Sequence, residues 1–473
     1  MATIDTSSST ANELPYHDNS DYSVIEKAGM SLGHAPAGLL LPGVDSKTHK
    51  EATRLCARDY LEHHVFFNDR KLHNHLNHHL LAVYSMGASA ERLQGIFDGN
   101  RLIQRPSLPT HETITIDATN YINYLSQENY YPDFVRFFHK ELDAAGDGWH
   151  SVVAKYMFEP HIFPLVLNGL LHPLIQLGYA LEFESKAIAA AALAQTCIHG
   201  NSYKKLYTPE FFSEIQASFA GGNYQCLSIL EIFDRMRNER TDMKIPFGDD
   251  IFTDENRTVS EKLAVKYAKY WIVDADEKAI SAKYRELLSV VSLWYIASTR
   301  PGYKLLLDFF TMHCVTSAYF LPIIFGILST EQKAQLLHAH YAFCLSLFSL
   351  QGTPQLFIAP THTTGDSHSA ARELYGDSAN PWLGVFERAI NSNDMHVPKV
   401  IRSLWRGSVL CGSSDLNVNS QAPLVNWLYI ARRTVDSISA DGFVSDVSEI
   451  DDAFTWSRGM LGYDEYWEKQ SKI

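Results

Sequence analysis

The chain has no pair of cysteines close enough in sequence to clasp a metal or cycle as a redox disulfide. Its six cysteines, Cys56, Cys197, Cys226, Cys314, Cys344 and Cys411, form no CxxC motif, so reduced thiols are expected. No basic n-region followed by an apolar run opens the sequence, and Met1 to Pro15 is instead rich in Ser, Thr and Asp. The greasiest stretch, His161 to Phe183, is broken by His161, Pro164, Asn168, His172, Pro173 and Gln176, so it reads as protein interior rather than a bilayer span. A cytoplasmic location is therefore expected. There is also no basic run, and a formal net charge of -14 repels phosphate backbones and anionic lipid. Nucleic acid and membrane surfaces are excluded as expected partners, and nothing in the sequence fixes an oligomeric state.

Several catalytic signatures are missing too. No GxGxxG follows a strand pattern, and no P-loop, HExxH or GxSxG occurs. No Glu stands three residues before a His, which disfavours carboxylate-bridged di-iron bundles. The pairs His49-Lys-Glu51 and His139-Lys-Glu141 lie in charged helical segments, a poor setting for a two-His-one-carboxylate triad.

What is present is apolar and helical. Residues of the hydrophobic set make up 46% of the chain and aromatics 12%, enough to bury a core and line a pocket for a flat ligand. Apolar residues recur at helical spacing, as at Ile280, Tyr284, Leu287, Val291 and Tyr295. The pattern predicts helices over roughly 48–64, 70–86, 131–144, 166–199, 209–236, 259–298, 303–349, 381–391, 395–408 and 421–438. The expected fold is mainly α: a flexible or draped arm over 1–45, then one large multi-helix domain over 46–473. Phe247 to Asn256 and Gly352 to Ser369 read as loops able to cover a site. The aromatic-rich C-terminus, with Phe443, Phe454, Trp456, Tyr463, Tyr466 and Trp467, reads as a strap on the body.

Four histidine-bearing stretches carry the chemistry. In His75-Leu-Asn-His78-His79, His75 shares a helical face with His78 or with His79, while His78 and His79 diverge by about 100°. His172 precedes Pro173, whose missing N–H frees a carbonyl and disturbs the helix. His313 lies in Phe-Thr-Met-His-Cys-Val-Thr with few polar neighbours to satisfy a buried imidazole. His396 and Lys399 lie three apart on one face, where Asp394 can cap the helix. A buried Lys beside a cation has its pKa lowered, and the neutral amine can add carbon dioxide to become an anionic carbamate ligand. His338 and His340 diverge by about 160° and read as structural.

Taken together, the segments Asn74 to Ser89, Asn129-Tyr130-Tyr131-Pro132, His172 to Phe183, Asp308 to Ser317 and His396 to Lys399 resemble the questin oxidase-like family, in the family's order and over nearly the whole chain. The resemblance implies an oxidoreductase that opens the quinone ring of anthraquinones or related aromatic polyketides by Baeyer–Villiger-type oxidation in secondary metabolism. It further implies non-haem Fe(II) held by four histidines and a carboxylated lysine. Carried over position by position, these are His78 in preference to His75, then His172, His313 and His396, with Lys399 as the carbamate. Tyr131, Asp308 and His75 are the candidate polar groups of the pocket, each weighed against an ordinary buried hydrogen bond. The chain departs from the family pattern at Gln176, where a His is common, and at Cys314, where a small residue is common. The expected small-molecule partners are an aromatic polyketide and dioxygen. The substrate itself supplies the electrons, or NADPH or another external reductant does. The competing readings are a zinc-type hydrolase of an aromatic ester or lactone and a non-catalytic helical scaffold.

Overall fold

The computed structural model describes residues 21–34, 37–220, 226–239, 243, 245–363, 380–411, 421–438 and 456–472. The fold is mainly helical, as expected, with a single two-stranded parallel pairing of Leu307–Asp308 with Trp456–Ser457 among the described residues. In chain order the longer helices are α1 Ser46–Glu62, α2 Leu76–Ser85, α3 Ala90–Arg101, α4 Tyr131–Ala144, α5 Trp149–Met157, α6 His172–Glu182, α7 Lys186–Ile198, α8 Pro209–Ala220 and α9 Ile229–Asn238. They continue with α10 Asp254–Ala268, α11 Glu277–Ala297, α12 Phe309–Ala318, α13 Thr330–Leu350, α14 Trp382–Asn391, α15 Val397–Cys411 and α16 Trp427–Ser437. None of them is long and apolar enough to cross a membrane.

The packing follows side-chain size. The buried alanines of α7, Ala187, Ala189, Ala190, Ala192 and Ala194, let α4 and α6 lie close along it. Large rings fill the wider gaps, with Trp271 and Trp294 fully buried around α13 and each such residue contributing on the order of 2 kcal/mol of hydrophobic burial. For the site, the decisive packing is a closed ring of four helices: α2 against α6, α6 against α12, α12 against α15, and α15 back against α2.

Three spans expected as single helices are broken by local chemistry. Asp276 accepts from the backbone N–H of Lys278 and Ala279 and starts α11 afresh. Asp308 and Ser329 do the same for α12 and α13, Ser329 as half of a capping box with Gln332. The 166–199 span splits at two left-handed stretches, Gly169-Leu170-Leu171 and Glu184. The join between α8 and α9 includes 221–225, outside the described residues. Helices α3 and α5 were not expected. Ser89 caps α3, whose Gly95 and charged residues dilute the apolar periodicity.

The described part of the N-terminal arm is tied to the body, with Gly33 N–H donating to Phe183 O, Leu41 N–H to Ser85 O and Leu39 N–H to the Tyr319 hydroxyl. Trp456, Tyr463, Tyr466 and Trp467 pack on the body, while Phe443 and Phe454 lie outside the described residues. The acidic loop at Phe247 meets Tyr463 of this C-terminal segment. The expected 352–369 loop is described only up to residue 363.

Candidate metal centre

Each helix of the four-helix ring delivers histidine at or near its first turn, or just before it. His75 immediately precedes α2, His172 opens α6, His313 is one turn into α12, and His396 immediately precedes α15. All four are buried, His396 being the most exposed at 9%. His75, His313 and His396 offer ring nitrogens that all lie within 4.8 Å of one another. His172 joins them through its Nε2, 2.7 Å from Nε2 of His75.

The tautomers follow from the partners, because a carbonyl oxygen can only accept. His172 Nδ1 is 2.6 Å from Gly169 O, so Nδ1 carries the proton and Nε2 presents a lone pair. His313 repeats this, with Nδ1 donating to Phe309 O at 2.8 Å and Nε2 without a partner. His396 Nδ1 sits 3.1 Å from Asp394 Oδ1, and its Nε2 is likewise unpartnered. Asp394 is fixed in turn by the His396 backbone N–H at 2.7 Å and by Trp456 Nε1, which donates to Oδ2 at 2.7 Å. Burial raises the Asp394 carboxyl, but its bonds from His396 and Trp456 outweigh this and hold it below the usual range. Anchoring the far nitrogen while the near one points at a common centre is the arrangement by which proteins orient metal-binding imidazoles.

Burial, reinforced by the neighbouring charges, holds all of these rings neutral at pH 7. His75, His172 and His313 are pushed well below their ordinary pKa, and His396 to about 4. Lys399 follows one turn after His396 on α15, only 3% exposed, with Nζ lacking any partner. Burial brings its pKa down from 10.5 to about 7, with Asp394 opposing. An unpaired buried ammonium costs several kcal/mol, which favours the neutral amine at Lys399.

Backbone strain helps to build the centre. Gly169, Leu170 and Leu171 have φ of 54°, 54° and 66°, which for each leucine costs about 1–2 kcal/mol. This left-handed turn ends in His172 and brings Gly169 O back to its Nδ1. A Cβ at Gly169 would stand 2.4 Å from Cε1 of His199, so only glycine fits there.

The other expected residues fall elsewhere. His78, one turn into α2, places Nε2 against Gln176 Oε1 and stacks on Tyr179 with ring centres 5.0 Å apart. Gln176, noted as a departure from the family pattern, thus supplies the partner of His78. Asp308 is fully buried and caps α12: its oxygens accept from the Thr311 N–H and from Gln351 Nε2 at 2.6 Å. Burial still pushes its carboxyl up to about 6. Tyr131 packs edge-on against His64 at 5.0 Å, with no ring contact or hydrogen bond to the histidine cluster. His338 and His340 serve other helices, His338 bonding Ala268 O and His340 bonding Ser317.

Sequence reasoning missed His73 and His199. The His73 ring lies parallel on His172 at 3.8 Å, and its Nε2 is 3.0 Å from that of His199. The one signal available was the spacing His73-Asn-His75, which places the two rings in an extended segment rather than on a helix.

The questin oxidase-like family model matches residues 72–404, a span that holds all of these side chains except Trp456. The chain belongs to the questin oxidase-like family. It is similar to oxidoreductase AflY of Aspergillus parasiticus, with 27% identity over 425 residues, 86% of this chain and 83% of that protein. Baeyer-Villiger oxidase mdpL of Emericella nidulans is 28% identical over 411 residues, 83% of this chain and 89% of its own length. Questin oxidase of Aspergillus terreus is 25% identical over 435 residues, covering 88% and 91% respectively. This questin oxidase-like chain is an oxidoreductase, as the sequence led us to expect.

Proposed function

We propose that the chain is a non-haem iron-dependent oxygenase that opens a ring of a reduced anthraquinone, or a related fused aromatic polyketide, by Baeyer–Villiger-type oxidation. The observation that carries this reading is the convergence of His75, His313 and His396, with His172 joined to His75, and the bare Nε2 atoms of His313 and His396 inside it. Neutral imidazoles with one anionic oxygen donor form a set that suits Fe(II). The residues that would hold it are His75, His172, His313, His396 and Lys399. In this reading His75 takes the place that the sequence favoured for His78, because a ring nitrogen of His75 lies within 4.8 Å of those of His313 and His396, while Nε2 of His78 is engaged by Gln176. Bound there, Fe(II) supplies one-electron chemistry toward dioxygen, which protein side chains alone lack.

The side chains have definable tasks. A neutral Lys399 amine would add to carbon dioxide, forming an N–C bond as one C=O π bond opens and releasing a proton to solvent, so that an anionic carbamate oxygen is carried two bonds beyond Nζ. Gly169 O, Phe309 O and Asp394 keep the protons on the three Nδ1 atoms, so the Nε2 lone pairs stay inward. The half-buried Phe309 ring lies 4.9 Å from His313 and 5.1 Å from His396, an apolar wall that excludes water and suits a flat aromatic substrate. The electrons come from the reduced ring itself, so the missing nucleotide motif is no obstacle; NADPH or another external reductant would serve to regenerate the hydroquinone. The oxidase names of the relatives from Emericella nidulans and Aspergillus terreus support an oxidative rather than a hydrolytic reaction.

The test is to bind a chemically reduced anthraquinone to iron-loaded protein without oxygen and then admit labelled dioxygen. The proposal expects no turnover before mixing and a ring-opened acid carrying one labelled atom afterwards. Equal turnover without dioxygen, or label entering only from water, would overturn it in favour of a zinc-type hydrolase.

A further inference from the structure

The C-terminal strap carries a cation to the rim of the candidate centre, and the function proposed above leaves that cation without a task. Trp456–Ser457 runs parallel to Leu307–Asp308, with Leu307 opposite Trp456 and Asp308 opposite Ser457. The next residue of each segment continues that register, which sets Arg458 beside Phe309. The Arg458 guanidinium carbon lies over the Phe309 ring, 4.3 Å from its centre. The backbone on either side of Arg458 is pinned. Trp456 Nε1 donates to Asp394 Oδ2 at 2.7 Å, Ser457 Oγ is 2.7 Å from the Tyr466 hydroxyl, and a Cβ at Gly459 would stand 2.0 Å from Cε2 of Tyr466.

Phe309 is what makes this position informative. It is partly exposed, yet its ring packs steeply against His313 at 4.9 Å and His396 at 5.1 Å, so it joins the solvent side to the buried histidines. The apolar surface extends outward from there. Phe310, also partly exposed, lies 5.7 Å from Phe309 and 5.1 Å from the partly exposed Phe252. A flat ligand approaching the histidines along Phe309 therefore meets the Arg458 guanidinium, which is itself partly exposed. Guanidinium presents parallel N–H donors that match the two oxygens of a carboxylate or the single oxygen of a phenolate. With a formal net charge of -14 the chain as a whole repels anions, so attraction for an anionic ligand at this rim has to come from a local cation.

We infer that Arg458 is a specificity-determining residue that takes an anionic oxygen, phenolate or carboxylate, on the aromatic substrate. The inference rests on the aromatic substrate of the function proposed above and uses nothing of its oxygen chemistry. Arg458 holds the charged edge of the ring system at the rim while the apolar body lies along Phe309, with its far edge toward the histidines. Arg458 also falls outside residues 72–404, the span matched by the family model. Choice of the charged substituent is thereby assigned to the strap rather than to the helices that carry the histidines.

Two matched probes test this: anthraquinone-2-carboxylate and its neutral isostere anthraquinone-2-carboxamide, titrated into the full-length protein at pH 7.5 and followed by tryptophan fluorescence. Both are oxidised quinones, so affinity is read without turnover. The wild-type protein should bind the carboxylate about tenfold tighter than the carboxamide, with the gap narrowing as salt is added. Arg458→Gln should bring the two affinities to within about twofold of each other, while Arg458→Lys keeps part of the preference as a point charge. Equal affinities in the wild-type protein, or an undiminished preference in Arg458→Gln, would overturn the role of Arg458 and leave the aromatic-substrate reading standing. Failure of the wild-type protein to bind either probe would overturn both. Loss of both probes alike in Arg458→Gln would reduce Arg458 to a packing group and overturn its role in specificity.

Discussion

Replacing Lys399 by Met should make the iron-free protein more stable while removing its capacity to hold metal. Burial displaces the Lys399 pKa from 10.5 to about 7, a difference of about 3.5 units that corresponds to roughly 5 kcal/mol at about 1.4 kcal/mol per unit. Structural relaxation and water penetration reduce such penalties, so a gain of about 2–5 kcal/mol is expected at pH 7. Met matches the lysine stem in length and needs no partner. Between pH 7 and 10.5 the unfolded chain holds a proton on Lys399 that the folded chain has lost, so wild-type stability rises with pH across that window. The advantage of Lys399→Met is therefore largest at and below pH 7 and falls to about 1.4 kcal/mol by pH 9.5. Urea unfolding of both proteins, iron-free and in bicarbonate-free buffer, measures the gap. A variant no more stable than wild type at pH 7, or a gap unchanged at pH 9.5, would refute the claim that Lys399 is kept at the expense of stability.

Two other perturbations probe the centre. His75→Ala should lower bound iron to less than half of wild type, whereas His78→Ala should retain most of it because Gln176 is its partner; iron assays giving the reverse order would return the ligand role to His78. Acidification should destabilise the iron-free protein between pH 6.5 and about 4, since His396 and His338 titrate near 4 when folded and near 6.5 when unfolded. Over that window the unfolded chain binds the extra protons, so stability falls with pH by up to about 1.4 kcal/mol per unit for each such histidine. A urea midpoint flat from pH 7 to 5 would contradict neutral buried rings, and bound iron should be lost over the same range.

The helical class, the family and the histidine segments were legible because they rest on short-range patterns: 3.6-residue periodicity and imidazoles set in apolar sequence. Choosing between His75 and His78 was not, since both project from one segment and the direction of each depends on what α6 brings opposite. Gln176 meets His78 and His172 meets His75, a pairing of residues about a hundred positions apart. The break before His172 was sensed through Pro173, but its actual device, three consecutive left-handed residues, has no reliable signal when two of them are leucine. Asp308 was a candidate polar group of the pocket, weighed against an ordinary buried hydrogen bond. In the fold it caps α12 and so positions His313 from behind. Tyr131 sits in the Asn129-Tyr130-Tyr131-Pro132 segment that carries part of the family resemblance, yet its ring serves the packing around His64. The stack of His73 on His172 arises only once residue 73 is pinned by its bridge to Phe66.

The central claim is that four imidazoles and Lys399 hold one iron. Elemental analysis of the purified protein after anaerobic reconstitution with Fe(II) tests it most directly. The account predicts about one iron per chain, lost together with Lys399→Met and His313→Ala. No stoichiometric iron in the wild-type protein, or full iron in His313→Ala, would contradict it.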